Sequence, residues 1–108
     1  MPTVVIPGDR IVDRATFHTV FAEALSFPDY YGRNMDAWLE CMSGLDDPAV
    51  YDSPLAPGEV MTLHIEDAKP FAERCPDEYK ELVECSALVN FQRISIGRQP
   101  IVALSFRV

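Results

Sequence analysis

The sequence feature most suited to specific binding is a pair of acidic residues four positions apart, Asp36 and Glu40. On a helix this spacing places both carboxylates on one face, where like charges repel by roughly a few tenths of a kcal/mol. A cation supplied by a partner would explain the pair. Tyr30 and Tyr31 stand just before it on a glycine-containing loop, and tyrosines are enriched at protein interfaces. A solvated acidic face with both tyrosines packed on the core is an equally open interpretation.

Residues for catalysis or metal binding are scarce. His18 and His64 have no histidine, cysteine or carboxylate partner at ligand spacing, so we predict structural roles for both. Phosphate-loop, nucleophile-elbow and zinc-protease motifs are absent. Cys41, Cys75 and Cys85 lack a C-x-x-C spacing and are predicted to be buried, reduced thiols. We expect no enzyme, cofactor or metal site, and we attribute all five glycines to turn geometry at element boundaries.

Charge and length restrict the partners and the architecture. The 108 residues include nine Lys or Arg and seventeen Asp or Glu, for a net charge of −8. Phosphate backbones and anionic membranes repel such a chain, so we expect a basic partner and neither nucleic acid nor membrane. The length fits a single domain, 1–108, with its own core. No signal-like segment or membrane-length apolar run is visible, which predicts a cytoplasmic protein.

Apolar periodicity and capping residues predict the elements that position these side chains. The first predicted helix is capped by Asp13 and ends before Pro28. The second runs from its Asn34 cap to Ser43 and is stopped by Gly44. Asp67 is predicted to cap a helix after the second strand. The remaining elements are strands at 3–6, 60–65 and 101–106, a helical turn at 70–75, a long helix at 76–97 and a proline-containing loop at 45–58.

The alternation of strands and helices predicts an α/β fold, in which a three-stranded parallel sheet packs against helices. The last strand is nearly continuous in apolar residues. This pattern is typical of a strand that is buried on both faces, so we expect helices to cover both faces of the sheet.

The segment FPDYYGRNMDAWLECMSG, residues 27–44, closely resembles the hallmark segment of the barstar family, intracellular inhibitors of the secreted bacterial ribonuclease barnase. The strand and turn at 4–8 and the helix after them resemble that family as well. The likeness covers residues 3–45 and extends to the final strand. It implies a barstar-like fold.

The resemblance also implies a binding role, in which the second helix and the loop before it plug a ribonuclease active site. Asp36 and Glu40 would take the place of substrate phosphates against Arg, Lys and His of the enzyme. The implied partner is a basic ribonuclease, barnase-like or the ribonuclease domain of a toxin, bound by an inhibitor that is monomeric when free. The residues implied to face it are Tyr30, Gly32, Asn34, Met35, Asp36, Leu39, Glu40, Ser43, Gly44 and Leu45.

Several positions depart from the family pattern. Where the family has Leu-Trp-Asp, this chain has Trp38-Leu39-Glu40. The tryptophan is thereby moved about 100° around the helix, so we predict that it turns inward. Leu45 replaces an aromatic residue, and Gln92 or a neighbour occupies the place of an interface glutamate on the long helix.

Two other functions stay open. The shifted tryptophan and the proline-containing loop suggest an interaction module whose partner is not a nuclease. A hydrolase that uses His18 or His64 with a nearby acid is the weaker alternative.

Overall fold

A parallel three-stranded sheet forms the base of the molecule. The computed structural model describes residues 2–108. Strands β1 (Thr3–Pro7), β2 (Met61–Glu66) and β3 (Val102–Phe106) are all parallel, in the order β1-β2-β3. The register places Val4 opposite Leu63, and Leu63 opposite Leu104. The predicted α/β architecture is confirmed, with β2 as the central strand.

One face of this sheet remains open, so the prediction that both faces are covered is wrong. Ile6, Leu63 and Ile65 point to the core and are fully buried. Side chains alternate along a strand, and none on the opposite face of the described strands is buried. Val5, for example, is 53% exposed. The polar residues Thr62 and His64 occupy that face of the central strand, and this alternation is typical of a half-exposed sheet.

Four α-helices connect and cover the strands. They are α1 (Arg14–Leu25), α2 (Met35–Ser43), α3 (Ala68–Arg74) and α4 (Pro76–Ser95), and a 3-10 turn follows β1. Asp13 caps α1 as predicted, since its carboxylate accepts a hydrogen bond of 2.8 Å from the backbone N–H of Thr16. The helix ends three residues before Pro28, because Ser26 adopts a left-handed conformation. In residues 2–108 no helix has the length and apolar content needed to cross a membrane.

The second half of the chain differs from the predictions in two details. Helix α3 begins at Ala68, two residues before the predicted helical turn. Asp67 occupies the capping position but has a φ of 50°, and its side chain makes no capping hydrogen bond, so its predicted role is wrong. Helix α4 begins with Pro76, as predicted, and ends at Ser95, two residues before Gly97.

The core lies between the sheet and the helices, and Trp38 is fully buried in it, as predicted. Its indole meets the ring of Phe21 edge-on, with centroids 5.8 Å apart. Cys41 and Cys75 are buried free thiols, as predicted, whereas Cys85 is only half-buried. Because the inner face of α2 is anchored in this core, its opposite face must point to solvent.

The long loop after α2 is fixed to that helix. The tyrosine hydroxyl of Tyr51 donates a hydrogen bond of 2.7 Å to the carbonyl oxygen of Cys41. The backbone N–H of Leu55 donates one of 2.9 Å to the carbonyl oxygen of Leu45. All three residues Leu45, Tyr51 and Leu55 are buried, so the loop extends the core beyond the end of α2.

Candidate partner-binding site

The outer face of α2 carries two carboxylates without an internal partner. Asp36 and Glu40 are exposed, and neither carboxylate makes a hydrogen bond or ion pair with any residue of 2–108. Asn34 caps the helix by accepting a hydrogen bond of 2.8 Å from the N–H of Ala37. The helix dipole stabilises Asp36 in the first turn, but Glu40 has no such compensation. The helix therefore presents both acids to solvent.

The two tyrosines before α2 have different environments. Tyr30 is 77% exposed, so its ring is available to a partner. Tyr31 is half-buried against Phe27, with ring centroids 4.7 Å apart, and its hydroxyl is hydrogen-bonded to Nδ1 of His18. The exposure of Tyr30 therefore fits a residue that binds a partner, whereas Tyr31 fits a residue that packs on the core.

The buried histidine of α1 is neutral and holds the loop in place. His18 is 2% exposed. Burial lowers its pKa to about 4, and the positive charges of Arg33 and Arg14 act in the same direction. Burial also raises the pKa of Tyr31, so the phenol keeps its proton, and its hydroxyl shares a hydrogen bond with Nδ1 of the neutral imidazole. The predicted structural role of His18 is confirmed.

Neither histidine is paired with the acids of α2. His18 lines a small pocket of about 260 Å³ together with Asp36, but no hydrogen bond joins them. His64 lies on the open face of the sheet, where its Nδ1 is 3.0 Å from the hydroxyl oxygen of Ser105 and its Nε2 is 3.4 Å from a carboxylate oxygen of Glu66. Among residues 2–108, the two histidines and the two acids of α2 therefore form no hydrogen-bonded pair.

Arg33 fixes the approach of the loop to α2. Its backbone is left-handed, with a φ of 56°, a conformation that costs a non-glycine residue about 1 kcal/mol. The guanidinium compensates by donating hydrogen bonds of 2.8 Å to the carbonyl oxygen of Ala15 and 2.9 Å to the hydroxyl of Thr19. Both acceptors belong to α1. Sequence patterns did not reveal this anchor because it depends on the packing of two separate segments.

A buried arginine fixes the other end of α2. Arg93 is 5% exposed, and its Nη1 donates a hydrogen bond of 2.6 Å to the carbonyl oxygen of Ser43. Its Nη2 lies 2.9 Å from a carboxylate oxygen of Asp46, and its Nε donates to the carbonyl oxygen of Gln99 at 2.8 Å. The sequence carried a signal for this role, because Arg93 lies four residues after the buried Val89 on the apolar face of α4.

Two glycines at the ends of α2 are not required by the backbone. Gly8 is required, since a Cβ there would overlap the carbonyl oxygen of Glu66, and Gly97 has a φ of 81°. Gly32 and Gly44 have no positive φ, and an added Cβ would lie 3.4 Å and 3.5 Å from its nearest neighbours. The prediction that turn geometry explains all the glycines is wrong for these two. They leave bare backbone beside the acidic face of α2.

The remaining residues that were predicted to face a partner differ in exposure. Asn34 is exposed, whereas Met35 and Leu39 are partly buried against the core. Ser43 is also partly buried. Leu45 is only 4% exposed, and its contact with a partner stays a prediction. The chain turns inward after Gly44, and the Leu45 side chain joins the core.

A groove of about 580 Å³ brings most of the acidic face together with the end of α4. The α2 side carries the two carboxylates, and the α4 side carries Gln92 and Arg98. The predicted neighbour on the long helix, Gln92, therefore lies at this surface. Arg98 was not predicted, because it follows the helix and only the turn at Gly97 returns it toward α2. The groove is lined by Asp36, Leu39, Glu40, Ser43, Gly44, Gln92 and Arg98.

Comparison with known proteins identifies the family of the chain. The family model described as "Barstar (barnase inhibitor)" matches residues 1–101. The chain belongs to the barstar family. A curated relative from Bacillus subtilis (strain 168), "Putative ribonuclease inhibitor YrdF", is 38% identical over 47 residues, which are 44% of this chain and 52% of the relative. The chain thus spans about half the length of that relative. The family resemblance read from residues 27–44 is confirmed.

Proposed function

We propose that this barstar-family protein inhibits a basic ribonuclease, or the ribonuclease domain of a toxin, by covering the active site of the enzyme. The covering surface is the outer face of α2 with the loop at 30–32. The observation that carries the proposal is the exposed, unpaired carboxylate pair of Asp36 and Glu40 in a family described as barnase inhibitors. The name of the Bacillus relative supports ribonuclease inhibition in general. The proposed activity is binding and not catalysis.

The charges of the site suit such a target. A ribonuclease must hold the phosphates of RNA with positively charged groups, and carboxylates form strong, charge-assisted hydrogen bonds with the same groups. Asp36 and Glu40 would occupy the positions of two substrate phosphates. Most of the other acids contribute to the net charge of −8, which speeds the approach to a basic enzyme but does not select it.

The backbone and the supports of α2 also fit this proposal. The bare backbone at Gly32 and Gly44 allows close approach at both ends of the helix. Tyr30 offers an exposed aromatic ring of the kind that anchors interfaces. Because Arg33 and Arg93 already hold the two ends, little ordering is needed on binding. The surface is therefore preorganised for a rigid partner.

Binding and inhibition assays with a panel of purified basic bacterial ribonucleases, barnase included, test this proposal. We expect Asp36→Asn and Glu40→Gln each to raise the Kd for the enzyme that binds by about tenfold or more. Glu73→Gln is the matched control, because it removes the same charge from an exposed residue of α3. Wild-type protein that is folded but inhibits no member of the panel would contradict the proposal. Equal affinities of the α2 variants and the Glu73 variant would exclude this surface.

A second candidate is an interaction module with a partner that is not a nuclease. It is favoured by a larger groove of about 730 Å³, which lies between the loop at 28–30 and the loop at 50–55 and is not lined by either acid of α2. Hydrogen exchange in the complex separates the two candidates. Protection at 46–58 with none on α2 would favour the module, whereas protection across 30–44 would favour the ribonuclease inhibitor.

A further inference from the structure

We propose that Arg98 determines which ribonuclease is accepted, by pairing with a carboxylate that the enzyme carries among its phosphate-binding cations. This inference rests on the proposed function. Its starting point is the mixed charge of the groove between α2 and the end of α4. Asp36 and Glu40 line one side, and Arg98 lines the other.

Arg98 differs from every other arginine of residues 2–108 in having no side-chain partner. Its guanidinium makes no hydrogen bond or ion pair with any described residue, although Asp36 and Glu40 line the same groove. The other arginine side chains all have a carboxylate or a carbonyl oxygen as partner. These arginines are Arg10, Arg14, Arg33, Arg74, Arg93 and Arg107.

The backbone holds Arg98 across the groove from α2. Its N–H donates a hydrogen bond of 2.8 Å to the carbonyl oxygen of Arg93. The left-handed φ of 81° at Gly97 closes the turn before it, and the carbonyl oxygen of Gln99 accepts the Nε–H of Arg93 at 2.8 Å. Arg93 also holds the end of α2 through Ser43. One buried side chain thus fixes the backbone that carries Arg98 relative to the end of α2.

The charges that line the groove specify which charges the cleft of a fitting enzyme must carry. A cleft that carried only cations would satisfy Asp36 and Glu40 but would bury Arg98 against like charge, which is costly when water is removed. Cleavage of RNA by attack of its own 2′-hydroxyl requires a base to take the proton, and a carboxylate can serve as that base. The planar fork of an arginine matches a carboxylate in two parallel hydrogen bonds. The fitting target is therefore a cleft with cations opposite α2 and one carboxylate opposite Arg98.

A double-mutant comparison tests this pairing on the ribonuclease that wild-type protein binds. Arg98→Gln removes the guanidinium, and Lys69→Gln is the matched control because Lys69 is an exposed cation of α3 outside the groove, without an ion pair in residues 2–108. Kd and dissociation rates are measured against the enzyme and against its variant in which the cleft carboxylate is replaced by the amide. We expect Arg98→Gln to raise the Kd about tenfold, mainly through faster dissociation, and Lys69→Gln to change it less than about twofold.

The amide variant of the enzyme gives the deciding comparison. Against it, wild-type protein and Arg98→Gln are expected to bind equally, and Arg98→Lys is expected to recover part of the loss against the unmodified enzyme. The inference is overturned, with the proposed function intact, if Arg98→Gln behaves like Lys69→Gln, binds more tightly than wild type, or loses the same affinity against the amide variant. If folded wild-type protein binds no ribonuclease, both the proposed function and this inference fail.

Discussion

Acidification is expected to destabilise the fold through one buried side chain, His18. The imidazole is 2% exposed and is hydrogen-bonded to the hydroxyl of Tyr31. Burial, followed by the charges of Arg33 and Arg14, lowers its pKa to about 4, whereas the same group has a pKa of 6.5 without these effects. Between these two values the unfolded chain binds a proton that the folded chain does not bind. The stability that the neutral His18 contributes is therefore retained above pH 6.5 and is lost as the pH falls toward 4.

The size of the loss follows from the two pKa values. Each pH unit in this interval corresponds to about 1.4 kcal/mol. With partial titration at both ends included, His18 should lower the free energy of unfolding by about 2 kcal/mol between pH 7 and pH 5. The loss should reach about 3 kcal/mol at pH 4. A domain of this size has about 5 to 15 kcal/mol of stability in total, so the effect is large enough to measure.

Urea unfolding of wild type and His18→Gln at several pH values between 7 and 4 measures this contribution. Glutamine can still form a hydrogen bond with the Tyr31 hydroxyl but does not titrate. We expect wild type to lose about 2 kcal/mol more than His18→Gln between pH 7 and pH 5. Because the changes in the free energy of unfolding with pH are compared, a constant cost of the substitution does not affect the result. Protonation of the carboxylates is common to both proteins.

Two results would refute the reasoning. One is an equal pH dependence of wild type and His18→Gln. The other is an NMR titration of the His18 imidazole in the folded protein with a midpoint near 6.5. Either result would mean that burial next to Arg33 does not keep the imidazole neutral.

Two further substitutions test the supports of α2. Arg93→Ala should lower the free energy of unfolding by about 3 kcal/mol in urea titrations, because it leaves Asp46 and the carbonyl oxygens of Ser43 and Gln99 without their donor. An unchanged unfolding midpoint would show that Arg93 does not hold the end of α2. Gly44→Ala should change stability by less than about 0.5 kcal/mol, since an added Cβ fits, while raising the Kd for the target ribonuclease about tenfold. Gly8→Ala is its control in thermal unfolding and should be strongly destabilising, because the same methyl overlaps the carbonyl oxygen of Glu66. Equal destabilisation by the two alanines would show that Gly44 is a structural requirement after all.

Local signals predicted the elements well where the deciding contacts lie within a few residues. Asp13 and Asn34 cap helices through bonds to residues three positions away, so the sequence alone contained both partners. Asp67 failed as a predicted cap because its left-handed backbone aims the side chain elsewhere. The open face of the sheet was missed because the apolar run of the last strand resembled a doubly buried strand. The polar alternation of Thr62 and His64 in the central strand was the better guide.

For the site, the sequence contained the charges of α2 but not their surroundings. The spacing of Asp36 and Glu40 is a local property of one helix, and so is the inward turn of Trp38. Burial of Leu45 and the contacts of Arg33 depend on segments far apart in the chain. The same is true of Arg98, which reaches the groove only because the turn at 97 reverses the chain. Tertiary packing therefore decided which charges of the sequence share one surface.

Some charged side chains hold α2 in place and others line the groove. This division explains how a strongly acidic chain could still select one basic partner among many. The guanidinium groups of Arg33 and Arg93 bind carbonyl oxygens of the same chain, and Arg93 also binds Asp46. These contacts hold the two ends of α2. The groove keeps one cation unpaired beside two unpaired carboxylates. A general negative field attracts many basic proteins and weakens with salt. A fixed pattern of two acids and one base discriminates among them, because each mismatched charge must be desolvated without a partner. Under the proposed function, affinity would then depend on α2 and target choice on the far side of the groove.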